Sequence, residues 1–360
     1  MMSRDIYPIW YQKNRPFAKQ AGSIISGSGL VPASIESIQL KIFTKWNESL
    51  SRGTVSPDEI KTDLIKEIGL AAYYGSFCKS GRQIFAVSDE LGQMFLHTSA
   101  KDVPISSLKS PYDGYFIQFH SPVNWGQNEI VGAFIMDEES IPMLQVCLVL
   151  NPSDRGEHWM RSPAGYFLIT LDRDNGDATL AKLIEDSIES EIVAKWETAS
   201  KAMNLPSNLS ESEIIDRRSE RAMRESMDLK SAKEAINIAL SYVANCLCYL
   251  SSDELNRSVD YTTDTPKSLL EKLQSSKTPK AVQKAKSLLS NNGYIPITYI
   301  GKNVGKSEIS LGLSGSVVKE HWRRGHWRNQ FYGEARSERK LIWIKPTLVG
   351  HHANEQSENT

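Results

Sequence analysis

The chain has 360 residues, 40% hydrophobic and 24% charged, which is enough apolar material for one large domain or two medium ones. A formal net charge of −1 argues against a general nucleic-acid coat or a polyanion binder, so any electrostatic attraction must be local. No stretch approaches the roughly 18 apolar residues of a membrane helix, and no partnership with a membrane is expected.

Residues 1 to 31 mix aromatics with Gly and Ser and read as an irregular arm lacking the apolar core of a signal peptide. The expected location is therefore the cytoplasm. A helix is predicted from about Ser34, with Ile35, Ile38, Ile42 and Trp46 at three- and four-residue steps. Ser56, Pro57 and Glu59 form a second helix start, and that helix should run to about Phe77.

From Arg82 the period becomes extended. RQIFAVSDE, GQMFLH, GYFIQF, EIVGAFIMD, MLQVCLVL and YFLITLD are six short apolar runs that predict a mostly antiparallel sheet. The loop from Asn151 to Gly165 carries His158 and Trp159. Helical patterning returns between Ala178 and Met203, and Asn204–Asn208 reads as a link. Ser210 and Glu213 open a charged helix, followed by an Ala- and Leu-rich buried helix over 231–250. Asn256–Asp264 reads as a polar turn. Thr265-Pro266 and Thr278-Pro279 each start a short basic helix, YIPITYIG is a strand, and LIWIKPTLV is a closing strand. The fold class expected is α+β: an N-terminal α+β domain (1–205), a C-terminal helical domain closed by two strands (206–350), and a disordered tail (351–360).

Cys78, Cys147, Cys246 and Cys248 lie in apolar runs without CxxC spacing and predict reduced, buried thiols. GKNVGKS (301–307) contains the end pieces of a phosphate loop but is one residue short between its glycines, so a nucleotide site is rejected. DRDNGD (172–177) reads as a turn after a strand. No cofactor is expected.

The most distinctive stretch is Lys319–Lys345. It holds three of the eight tryptophans, two of the seven histidines, and eight Lys/Arg against three Asp/Glu. Rings interleaved with guanidinium groups suit stacking and pairing with phosphate or carboxylate. Trp322, Trp327 and Trp343 are candidates for stacking or for core anchors, and Arg323, Arg324, Arg328, Arg336 and Arg339 for charge. Gly325 would allow the backbone to turn between them. His321 and His326 are five apart, the wrong step for two metal ligands on one helix face, and no metal site is expected. With Arg323 or Arg324, and His158 as an outside partner, they offer acid/base groups for RNA cleavage if geometry allows. A DNA-binding repressor is a third reading, disfavoured by charge and by the lack of a helix-turn-helix pattern.

The pattern His321, Arg323-Arg324-Gly325-His326-Trp327, Gly333, Arg339, Trp343 and Pro346 resembles the C-terminal signature of a family of phage and plasmid proteins that includes a type V-A anti-CRISPR protein. CLCYLSSDELNR (246–257) adds to the likeness, and LAAYYGSFCKSGRQIFAVSDEL and PISSLKSPYDGYFIQF do so more loosely. The resemblance implies a mobile-element anti-defence protein, with the nascent or N-terminal peptide of a target as partner. By the same resemblance, the target's expression would be lowered at the level of translation and message. The ribosome or the mRNA is then a second expected partner.

Overall fold

A computed structural model describes residues 6–15, 17–18, 21–22, 35–52, 64–126, 128–138, 141–152, 165–193, 211–252, 256–302, 304 and 321–349. Its centre is a seven-stranded sheet in the order β6-β5-β4-β3-β1-β8-β7. The strands are β1 (Gln83–Val87), β3 (Gly114–Trp125), β4 (Asn128–Met136), β5 (Met143–Pro152), β6 (Gly165–Asp172), β7 (Arg257–Asp260) and β8 (Ile297–Ile300). Four of its six pairings are antiparallel; β1 runs parallel to both β3 and β8. The α+β class expected from the sequence holds.

Side chains alternate across this sheet, and both faces are covered, which is why the central strands read as continuous apolar runs. One face carries Ile84, Ala86, Phe116, Phe134 and Cys147. It packs under α1 (Tyr7–Asn14), α2 (Ile35–Ser51) and α3 (Leu64–Lys79), through Tyr7, Tyr11, Ile38, Ile42, Tyr74 and Phe77. Tyr7 stacks on Phe116 with ring centres 5.9 Å apart. Arg15 and Glu67, both buried, form an ion pair at 2.7 Å beneath it.

The opposite face carries Phe85, Val87, Tyr115, Ile117, Ile135 and Leu148. It is covered by α4 (Asp89–Leu96), by α5 (Leu180–Ser187) with the π-helical turn Ile188–Val193, and by α6 (Glu211–Leu250). α7 (Lys267–Ser275) and α8 (Pro279–Asn291) pack as a pair, the second capped by Thr278 accepting from Ala281 N at 3.2 Å.

Several expectations are corrected. GQMFLH is no strand: Ser88 accepts from Leu91 N at 3.2 Å, Asp89 and Glu90 occupy the first turn, and α4 results. The charged and the buried helix expected after Ser210 are one helix of 40 residues. The polar turn Asn256–Asp264 contains β7, a sheet-edge strand whose side chains are mostly exposed and so lack an apolar signature. More than two strands follow α6: besides β7 and β8, the chain adds β9 (His321–Arg323), β10 (Gly325–Tyr332), β11 (Glu338–Ile344) and β12 (Thr347–Val349). LIWIKPTLV is split between the last two at Pro346, whose ring nitrogen cannot donate to a ladder. The main sheet draws strands from both sides of position 205. Ser56-Pro57, His158, Trp159, the 204–208 link, Ser210, most of the 301–315 connector and the tail lie outside the described residues.

Candidate functional site

The basic aromatic stretch folds as an antiparallel hairpin, β10 with β11, whose parallel neighbour is the short β2 (Thr98–Ser99) that follows α4. Registry places Trp327 opposite Trp343, so the two rings share a face. They stack with centres 5.5 Å apart and planes 13° from parallel, and both are buried. Phe95 and Tyr249 pack against Trp343.

The polar ends of these rings are satisfied inside. Trp327 Nε1 donates to Asn245 Oδ1 at 2.8 Å, and Trp343 Nε1 donates to Thr98 Oγ1 at 3.3 Å. Asn245, a fully buried side chain on α6, donates in turn to the carbonyls of Phe95, Thr98 and Ser241 at 3.3, 3.0 and 2.9 Å. One amide thus ties α6, the end of α4, β2 and the hairpin together. Two of the three tryptophans that were candidates for stacking or anchoring are accordingly core anchors, and their faces are not open to a partner.

Gly325 is required by close approach. A Cβ there would sit 2.7 Å from Ile344 O and from Pro346, while Gly325 N donates to His97 O at 2.9 Å. The glycine lets β10 pass the β11–β12 junction; no left-handed turn is involved. Trp322, on β9 beyond it, is 38% exposed and stacks on His97 with centres 4.7 Å apart. Burial, reinforced by the nearby Arg324 charge, holds the His97 imidazole below its usual range.

On the opposite face of the hairpin His326, Arg328 and Lys340 are exposed; so are Arg323 and Arg324 before β10, Arg336 in the tip turn, and Arg339, which shares the tryptophan face beyond the core. His326 faces Ile344 across the ladder and makes no side-chain hydrogen bond among the described residues. The side chain of His321 lies outside them.

Past Asn329 and Leu341 the hairpin leaves the core and exposes both faces, with Phe331 46% and Tyr332 42% accessible. The Arg339 guanidinium lies over Phe331 at 4.4 Å, and Lys340 Nζ over Tyr332 at 5.3 Å. At the tip, Ala335 and Arg336 adopt positive φ of 54° and 59°, each costing about 1–2 kcal/mol for a residue with a side chain.

A second feature went unread in the sequence. β7 lies at the end of the sheet order, and beside it opens a cleft of about 970 Å³. Phe85, Thr298 and Val259, which are neighbours in register across β1, β8 and β7, form part of its floor. Leu270, Leu273 and Val282 of α7 and α8 line the other side. Val259 is 63% exposed, large for an apolar strand residue. A polar edge strand gives no periodic signal, and the single valine in RSVD was its only mark. His97 and Asn245 were also missed. The asparagine could have been noticed as the lone amide in the otherwise apolar VANCLCYL.

Among the described residues no cluster of His, Cys, Asp or Glu could hold a metal ion, and no helix is long and apolar enough to cross a membrane.

No curated protein matches the sequence. Among solved structures, a crystal structure of AcrVA2 aligns over 94% of this chain and 96% of its own at 13% identity, with a TM-score of 0.43. A family model, "AcrVA2-like: Anti-CRISPR type V subtype A2 family", matches residues 85–351, a span that holds the hairpin and most of the cleft lining. That span is well over half of the sequence, and the chain belongs to the AcrVA2-like family of type V subtype A2 anti-CRISPR proteins.

Proposed function

We propose that this member of the family acts by binding, as a mobile-element anti-defence protein that captures the nascent N-terminal peptide of a target and lowers its expression at the level of translation and message. The observation that carries the reading is the position of β7 as the edge strand of the sheet among the described residues, beside its apolar-floored cleft. An edge strand offers unpaired N–H and C=O groups to an extended peptide, and pockets beside it read alternate side chains. An emerging chain is extended and unfolded, so it suits that mode without first losing structure of its own.

The cleft mixes aliphatic and aromatic surface with a few charges, among them Arg257, Asp260 and Lys286. That lining favours a short amphipathic segment. Selection by peptide sequence would reside there, and the hairpin on its own elements would serve a different contact. The cytoplasm, where translation occurs, is the site of action this reading requires.

A test uses reporters that join the opening codons of individual host defence genes to a fluorescent protein, co-expressed with the full chain. Fluorescence and message of a responsive reporter should fall. They should recover when that reporter's opening codons are frame-shifted, which keeps the nucleotides and changes the peptide. Val259→Arg, which places a long cation on the cleft floor, should abolish the effect while the protein still melts as a folded chain. A responsive reporter that stays repressed after the frame shift refutes peptide recognition, and retained repression by Val259→Arg refutes the cleft as its seat.

A further inference from the structure

We propose that the projecting part of the β10–β11 hairpin, with β9 beside it, is a binding element for single-stranded nucleic acid, gripping phosphates with its arginines and stacking bases on its open rings.

Among the described residues no carboxylate pairs with the charge on this surface. Arg323, Arg324, Arg328, Arg336, Arg339 and Lys340 are exposed, and none takes part in an ion pair among the described residues. Elsewhere many cations have carboxylates in reach, as with Lys13 and Asp264 or Lys182 and Asp186. Glu334 and Glu338 are the acids of the hairpin and sit at its tip, leaving the flanks basic. On a chain of net charge −1 this is a local positive field.

The rings keep open surface as well. Trp327 and Trp343 dock the hairpin, whereas Trp322, Phe331 and Tyr332 remain 38%, 46% and 42% exposed. Cations already lie over Phe331 and Tyr332. A flat ring with a guanidinium on it and accessible surface left over is the arrangement a base can extend by stacking while its phosphate meets the charge. An acidic protein segment would use the cations and leave the exposed ring surface unused. Duplex DNA would meet the charge but has no unstacked bases to offer.

The reading stands on a different surface from the peptide cleft and does not depend on it. The experiment measures fluorescence anisotropy of a labelled oligouridine of about 12 nucleotides, a length within known single-strand site sizes, against the full chain over a range of salt. If all six cations meet phosphates, the logarithm of affinity should fall with the logarithm of salt at a slope of about −4. Phe331→Ala and Tyr332→Ala should each weaken binding by about ten-fold at constant salt slope. Arg328→Gln and Arg339→Gln should each reduce the slope by about 0.7. All four positions are exposed, so the variants should keep the parent melting temperature.

An oligodeoxythymidine of equal length distinguishes the source: tighter binding of the ribo- or the deoxy-strand identifies RNA or DNA, and either supports the proposal. A duplex bound as tightly as the single strand would overturn it, because stacking would then play no part. So would a chain that ignores both oligonucleotides and binds a polyglutamate peptide.

Discussion

Replacing Asn245 with alanine tests how the hairpin is held. The side chain is fully buried and makes four hydrogen bonds to groups on three separate segments besides its own helix turn. Ser241 O lies within α6, and Phe95 O also accepts from the His97 N–H, so neither is stranded by the change. The Trp327 Nε1–H is stranded, at about 1–3 kcal/mol for a buried donor left unmade, and the missing amide leaves a small void besides. The expected loss is about 2–4 kcal/mol. With a urea dependence of about 3 kcal/mol per molar, the unfolding midpoint should fall by about 1 M at unchanged slope. Asn245→Asp separates the hydrogen-bond account from simple volume. The acid keeps an acceptor for Trp327 but turns a second oxygen toward three carbonyls, so burial and these neighbours raise its folded pKa. An acid with a raised folded pKa loses stability as pH rises through the carboxylate range, so Asn245→Asp should unfold at lower urea at about pH 7 than at about pH 5, measured relative to the alanine variant. An alanine variant that unfolds at the parent's urea concentration would refute the reasoning.

Three further outcomes follow from the same structure. His97 has a folded pKa below its unfolded value because of burial and Arg324, so the stability it contributes is full above about pH 6.5 and is lost as pH falls beneath it; His97→Gln should remove that part of the pH dependence of the urea midpoint. Cys147, Cys246 and Cys248 are buried and their thiols are pushed up by desolvation, whereas Cys78 is half-buried; a thiol reagent should therefore titrate at most one of the four cysteines in the native protein and all four in denaturant. Gly92→Ala would drive its methyl into His120 Nδ1, which is held by the Tyr242 hydroxyl at 3.0 Å; the thermal midpoint should drop by several degrees, for a cost of about 1–3 kcal/mol.

What the sequence made legible was set by periodicity. The strands from Gly114 to Asp172 announce themselves because each is apolar on both sheet faces. GQMFLH failed because six residues of mixed character fit either period, and the Ser88 cap with its two following acids was the stronger signal. β7 failed because an edge strand that faces solvent carries no alternation. In the hairpin, the spacing of Trp327 and Arg328 as in and out was visible, yet only registry to β11 shows Trp343 arriving on the same side. The division between anchoring and exposed rings is a tertiary fact: Trp322 and Trp327 look alike in sequence and differ because one side of Gly325 faces α6 and the other faces His97.

The proposed function stands or falls on whether the protein meets its target during translation. Ribosome footprinting of the material that copurifies with the tagged protein from its host tests this directly. The account predicts footprints concentrated on one or a few messages, shortly after their start codons, and lost with Val259→Arg. Copurified material without enriched ribosome footprints would contradict it.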